Sequence, residues 1–213
     1  MACRKCVASG GMEFVSAETG LDSARSKMPH GGRLILIVGP SGAGKDTLIA
    51  WLKDRLGGNP DIRFVTRTVT RDADIASEAH DSLSGEEFSR AERAGAFAVT
   101  WQAHGHRYGL PASAREHVAS GGIAIANGSR RNLGEIAAAF DQVVVVNVAV
   151  DPGELRRRLL ARGREDETAI ARRLQEAGIP LATDLPIINL DNSGRVETAG
   201  GRLLEIIGRN LDA

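Results

Sequence analysis

The apolar run Leu34-Ile35-Leu36-Ile37-Val38 leads directly into Gly39-Pro40-Ser41-Gly42-Ala43-Gly44-Lys45-Asp46, which opens a helix-forming stretch ending near Leu56. A run with no polar residue is what a strand covered on both faces requires. The glycines that follow let the backbone curl so that successive N–H groups converge, and the helix N-terminus adds partial positive charge at the same point. The segment therefore reads as a cradle for phosphate. Lys45 has the reach to follow charge on the terminal phosphates of a nucleotide. The spacing is G-x-x-x-x-G-K, but Asp46 stands where Ser or Thr is usual. An acid there complements the helix dipole. A carboxylate can equally hold Mg²⁺, directly or through water, with Thr47 as the alternative ligand. No clear second metal-binding acid ends a later strand: Ile123–Ala126 runs into Asn127, and Val143–Val146 into Asn147.

The rest of the chain alternates strand and helix. Ile62–Thr66, Ala96–Thr100, Ile123–Asn127, Gln142–Val148 and Pro186–Leu190 read as strands. Ser84-Gly85-Glu86-Glu87 has capping-box spacing and opens a helix to about Ala94. Asp151-Pro152-Gly153-Glu154 supplies an N-cap and a proline at the first helical position, for a helix to about Arg162. Further helices are expected over Glu167–Ala177 and Val196–Arg209. Strands separated by helices predict an α/β, three-layer P-loop NTPase fold with a mostly parallel sheet. The expected division is a loosely attached extension, 1–31, and a P-loop kinase domain, 32–213. Within that domain, about 66–110 forms an acceptor-binding region and about 158–173 a lid.

Charge and composition narrow the function. Lys plus Arg and Asp plus Glu both number 27, so the net charge is zero, and aromatic residues are only 4%. Neither suits a general nucleic-acid binder. No apolar run approaches the ~20 residues needed to span a bilayer. Val7–Gly20 is not a signal-peptide core, so a cytoplasmic location is expected. Cys3 and Cys6 form a CxxC with no second half-site at zinc-finger spacing, and read as an incidental pair. Met28 precedes the first strand closely enough for translation to begin there, an expectation that intact-mass measurement would test.

Anion-binding side chains cluster in two places. Arg158, Arg162 and Arg173 flank a break at Gly163. Arg158 and Arg162 share a helix face. Such arginines on a closing lid would exclude water and stabilise a transferring phosphoryl group, which makes them, with Lys45, the expected catalytic residues. Between cradle and lid lie Arg67, Glu78, His80 and the stretch Trp101–Gly109. Arg67 and Tyr108 are natural donors to a substrate phosphate. Ser129 and Arg130 follow a strand, where α/β folds place ligand-binding residues. His104 and His106 read as solvated loop histidines, and Trp101 as core.

From about Arg33 onward the chain resembles the guanylate-kinase-like branch of the nucleoside monophosphate kinases, and within it is most similar to the ribose 1,5-bisphosphate phosphokinases. The resemblance is carried by Gly39–Asp46, Thr66-Arg67, Glu78-x-His80, Trp101–Pro111, Asn127–Arg130 and Arg158–Glu165. It implies ATP and Mg²⁺ as cofactors and transfer of phosphate to ribose 1,5-bisphosphate, giving 5-phosphoribosyl 1-diphosphate in phosphonate utilisation. The implied partner is a small sugar phosphate, with no nucleic acid or membrane; a homodimer is allowed. Substrate contacts are implied for Arg67, Glu78, His80, Tyr108, Ser129 and Arg130. The family's usual Pro is replaced by Thr68, and Ala76–His80 stands where Gly-Gly-Glu-Asp-His is usual. The enzyme alternative is a guanylate kinase. That family reads guanine partly with a Glu whose matching position here is Val99, and a pocket without its carboxylate discriminates against the base. The alternative outside enzymes is a guanylate-kinase-like binding domain, but such domains commonly lose the cradle that is intact here.

Overall fold

The computed structural model describes residues 31–70, 80–103, 105–163, 166–181 and 183–211, with His80 described by its backbone alone. In chain order the elements are β1 (Arg33–Val38), α1 (Lys45–Leu56), β2 (Ile62–Val65), β3 (Arg67–Val69), β4 (His80–Ser82), α2 (Gly85–Arg93), β5 (Phe97–Ala103), β6 (His106–Pro111) and α3 (Ala112–Ala119). There follow β7 (Ile123–Asn127), a 3₁₀ turn (Arg130–Asn132), α4 (Leu133–Ala138), β8 (Val143–Ala149), α5 (Pro152–Arg162), α6 (Glu167–Gly178), β9 (Ile187–Asp191) and α7 (Val196–Leu211).

The main sheet has the order β2-β7-β1-β8-β9 and every pairing in it is parallel. Side chains alternate between its faces. Leu34, Leu36 and Val38 meet Ala114 and Val118 of α3 and Leu133 and Ile136 of α4. Ile35 and Ile37 meet Leu48 and Leu52 of α1 and Leu203 and Ile207 of α7. All five apolar residues of β1 from Leu34 are fully buried. At roughly 1.5–3 kcal/mol for each such side chain, this strand anchors the domain. Because the strands are parallel, their C-terminal ends share one edge, where Ile37 is level with Asn127, and Val38 with Asn147. The phosphate cradle lies on that edge.

A second sheet, β4-β3-β6-β5, is mixed: β3 and β4 are parallel, whereas β6 is antiparallel to both β3 and β5. This corrects the reading of His106 as a solvated loop histidine. Trp101–Ala103 and His106–Gly109 are opposite arms of a hairpin, with Trp101 level with Tyr108. Trp101 is buried, as core. The strand expected over Ile62–Thr66 is β2, which ends at Val65; beyond Thr66 the chain enters β3 in the second sheet. α2 is capped by Ser84, which accepts from Glu87 N while Glu87 returns a bond to Ser84 N, and its Phe88 stacks on Phe97. The Cys3/Cys6 pair and nearly all of the 1–31 extension lie outside the described residues. Among the described residues no helix is long and apolar enough to cross a membrane.

Candidate active site

The cradle curls as its glycines allow. Gly42 has φ 89° and Gly44 φ 85°, the left-handed region that side chains avoid. A methyl group on Gly42 would sit 3.0 Å from Leu155 and Leu159 of α5, and one on Gly44 would sit 2.7 Å from Asn192 Nδ2. The loop is therefore packed directly beneath α5 and beside the segment after β9. Lys45 Nζ donates to the carbonyls of Gly39 and Pro40, each at 3.0 Å, which bridges the start of the loop. Ser41 and Thr47 are exposed, Pro40 half-buried and Ala43 buried.

Asn192 organises this neighbourhood. It is 4% exposed, and its Nδ2 donates to Ala43 O at 2.7 Å. Its own carbonyl accepts from Arg158 at 2.8 Å, and its N–H donates to Ala149 O. Ser193 Oγ accepts from Asp151 N, the N-cap of α5, and donates to Asp191 Oδ1 at 2.5 Å. These donations from Ser193 hold the Asp191 carboxyl below its usual range. One turn thus ties the cradle, α5 and the end of β9 together. Sequence reading passed over it, although Asp191-Asn192-Ser193-Gly194 at a strand's C-terminal end is a recognisable polar turn.

Asp46 accepts from Asn127 Nδ2 at 2.7 Å across the gap between α1 and β7. Among the described residues no group of three or more His, Cys, Asp and Glu side chains is placed to hold a metal. One anchored carboxylate on a phosphate cradle still fits Mg²⁺, which keeps several waters and takes further oxygens from substrate phosphates.

The three arginines expected on a lid occupy different settings. Arg158 is half-buried, donating to Glu154 at 2.7 Å and to Asn192 O. Glu154 also accepts two bonds from Arg157, and these bonds, with that from Arg158, lower its pKa to about 2. Arg162 is exposed in the last turn of α5, before Gly163 in the left-handed conformation, while Arg173 is half-buried on α6. Leu155, Leu159 and Ile170 join α5 to α6, and Arg156 pairs with Glu167 across them.

Among the residues expected to bind the acceptor, Arg67 lies 5.5 Å over the Tyr108 ring, which stacks on Trp101 at 5.6 Å. His80 is level with Arg67 in the β3–β4 pair. His106 begins β6 and its Nδ1 is 3.0 Å from Thr70 O, a strand position instead of the solvated loop expected. Glu78 and His104 lie outside the described residues. Ser129 donates to Asn132, 3.0 Å away. Arg130 reaches the far end of α6, donating to the carbonyls of Glu176, Ala177 and Ile179. Burial lowers its pKa from the ordinary arginine value. Capping of α6 is the contact made by Arg130 here, a role that its position after a strand did not announce.

A parallel sheet with a glycine-rich cradle and a following helix at its C-terminal edge defines a P-loop nucleotide-binding protein of kinase type. The family model described as AAA domain matches residues 35–179. Ribose 1,5-bisphosphate phosphokinase PhnN of Agrobacterium fabrum is 45% identical over 174 residues, covering 82% of this chain and 95% of that protein. Its namesake from Rhizobium etli is 40% identical, covering 83% and 89%. Among solved structures, guanylate kinase from Anaplasma phagocytophilum superposes with a TM-score of 0.61 at 20% identity, covering 88% of this chain and 90% of that one. That likeness establishes the guanylate-kinase-like fold. The chain belongs to the ribose 1,5-bisphosphate phosphokinase family and is a kinase.

Proposed function

We propose that the protein transfers the γ-phosphoryl group of ATP to the 1-phosphate of ribose 1,5-bisphosphate, giving 5-phosphoribosyl 1-diphosphate and ADP. The observation that carries this reading is an intact cradle combined with an acceptor region that offers cations but no base-reading carboxylate at Val99. That residue lies on β5, level with Leu110, and packs against the apolar cluster under the main sheet. A ribose bisphosphate presents phosphates and hydroxyls and no base edge, so an apolar Val99 leaves none of its groups unpaired.

In this reading an oxygen of the 1-phosphate attacks the γ-phosphorus as the bond to ADP breaks. Catalysis of such a step is mainly positioning and charge stabilisation. Backbone N–H groups of Gly39–Asp46 hold the nucleotide phosphates. Lys45 exchanges its carbonyl contacts for phosphate oxygens. Asp46, with Thr47 beside it, would hold Mg²⁺, which would neutralise charge on those oxygens. Arg158 is already oriented by Glu154 and Asn192, and with Arg162 and Arg173 supplies positive charge to the transferring group. Arg67 and Tyr108 hold an acceptor phosphate, with Glu78, His80, Ser129 and Arg130 completing the acceptor region. The test is ADP release with each acceptor offered singly. ADP formation dependent on ribose 1,5-bisphosphate supports the assignment. Formation dependent on GMP instead makes the protein a guanylate kinase, and ATP binding without turnover on either acceptor supports a binding domain.

A further inference from the structure

The P-loop departs from its usual pattern at Asp46, and the residue that meets this departure is Asn127, 81 positions away in the chain. Asn127 ends β7, level with Ile37, so it points to the face of the sheet on which α1 lies. Its Nδ2 donates to Asp46 Oδ1 at 2.7 Å, and its own Oδ1 is buried with no partner among the described residues. The amide orientation is therefore set by its bond to Asp46. An aspartate here in place of the amide would set two carboxylates against each other, whereas an amide donates and leaves the single negative charge on Asp46. Asp46 has no second partner among the described residues, so one carboxylate oxygen is held and the other is left for a ligand.

We propose that Asn127 is a positioning residue for metal-dependent nucleotide binding. By fixing Asp46 Oδ1, it presents the free oxygen of that carboxylate to the Mg²⁺ of the bound nucleotide. This inference rests on the reading of Asp46 as a metal-holding residue. Groups that orient a metal-binding side chain typically change metal affinity by about 10–100-fold when removed.

The test measures binding, not turnover. The affinity of wild-type protein for ATP is determined by calorimetry with Mg²⁺ and with EDTA, and the ratio is the metal-dependent enhancement. Asn127→Ala is expected to reduce that enhancement by about tenfold or more while leaving affinity in EDTA unchanged. Asp46→Ala should lose the enhancement at least as fully, and the double variant should lose no more of it than Asp46→Ala alone, because both act through one carboxylate. Asn127→Ser, too short to reach Asp46 but still polar, keeps the test available if the alanine variant does not fold, and should show the same loss. A normal enhancement in both Asn127 variants overturns the inference while leaving the Asp46 reading intact. So does an equal loss with and without metal, or losses that multiply in the double variant. No enhancement in the wild type overturns the Asp46 reading and the inference with it.

Discussion

Asn192→Ala removes one buried donor and little else. The Asn192 amide is 2.7 Å from Ala43 O, and both residues are buried. Its backbone bonds to Arg158 and Ala149 survive the substitution. Leaving the Ala43 carbonyl unpaired costs about 1–3 kcal/mol. The space left against Gly44 adds to this, so about 2–3 kcal/mol is expected in total. For a domain of this size each kcal/mol lowers Tm by roughly 2–4 °C, so thermal unfolding should begin about 5–10 °C earlier. Nucleotide affinity should fall as well, since the cradle's backbone donors are no longer held. Asn192→Asp preserves the shape but faces an oxygen with an oxygen. It should be worse than alanine at neutral pH, where the carboxyl is charged. Burial raises that carboxyl's folded pKa, and the protonated form can donate to Ala43 O, so N192D should regain stability as pH falls. Scanning fluorimetry with and without ATP reads both effects. A Tm within about 1 °C of wild type for N192A, with unchanged ATP affinity, would refute the claim that this turn holds the cradle.

Lys45→Ala should lower turnover by about 10²-fold or more while far-ultraviolet circular dichroism stays that of the wild type, because the lost contribution is charge stabilisation in the transition state. Near-normal turnover would remove Lys45 from the mechanism. The carboxyl of Glu154, held at about 2 against an ordinary 4.5, favours the folded state above the higher of these values and loses that contribution as pH falls toward the lower. The difference in urea midpoint between wild type and Glu154→Gln should therefore be largest above pH ~5 and shrink toward pH ~3. The pair is partly exposed, so the difference should also shrink in high salt.

The parts of the fold legible in the sequence are those where local signals agree. α1 runs over Lys45–Leu56 and α5 over Pro152–Arg162, the spans read from the cradle and from the Asp151-Pro152 start. β1, β7 and β8 announce themselves as apolar runs because helices cover both faces. The second sheet was harder to read. β3 and β4 are three residues each, and β5–β6 carries Gln102, His106 and Arg107 in its arms. Arg107 of β6 pairs with Glu92 of α2, a contact between elements that no local pattern announces. α3 buries only Ala114 and Val118, too little to give an amphipathic signal, and α4 is six residues long. In the candidate site, the cradle and the arginines could be read from residue type and spacing. The bonds from Asn127 to Asp46 and from Asn192 to Ala43 could not, since they join residues 81 and 149 positions apart. Only the parallel sheet brings those strand ends to one edge.

The central claim, phosphoryl transfer to a base-less sugar bisphosphate, is tested most directly by ³¹P NMR of the purified protein with Mg²⁺·ATP and ribose 1,5-bisphosphate. The account predicts loss of the 1-phosphate signal and growth of coupled diphosphate signals in step with ADP. ADP appearing with inorganic phosphate while the sugar signals stay unchanged, or a diphosphate forming only when GMP is supplied, would contradict it.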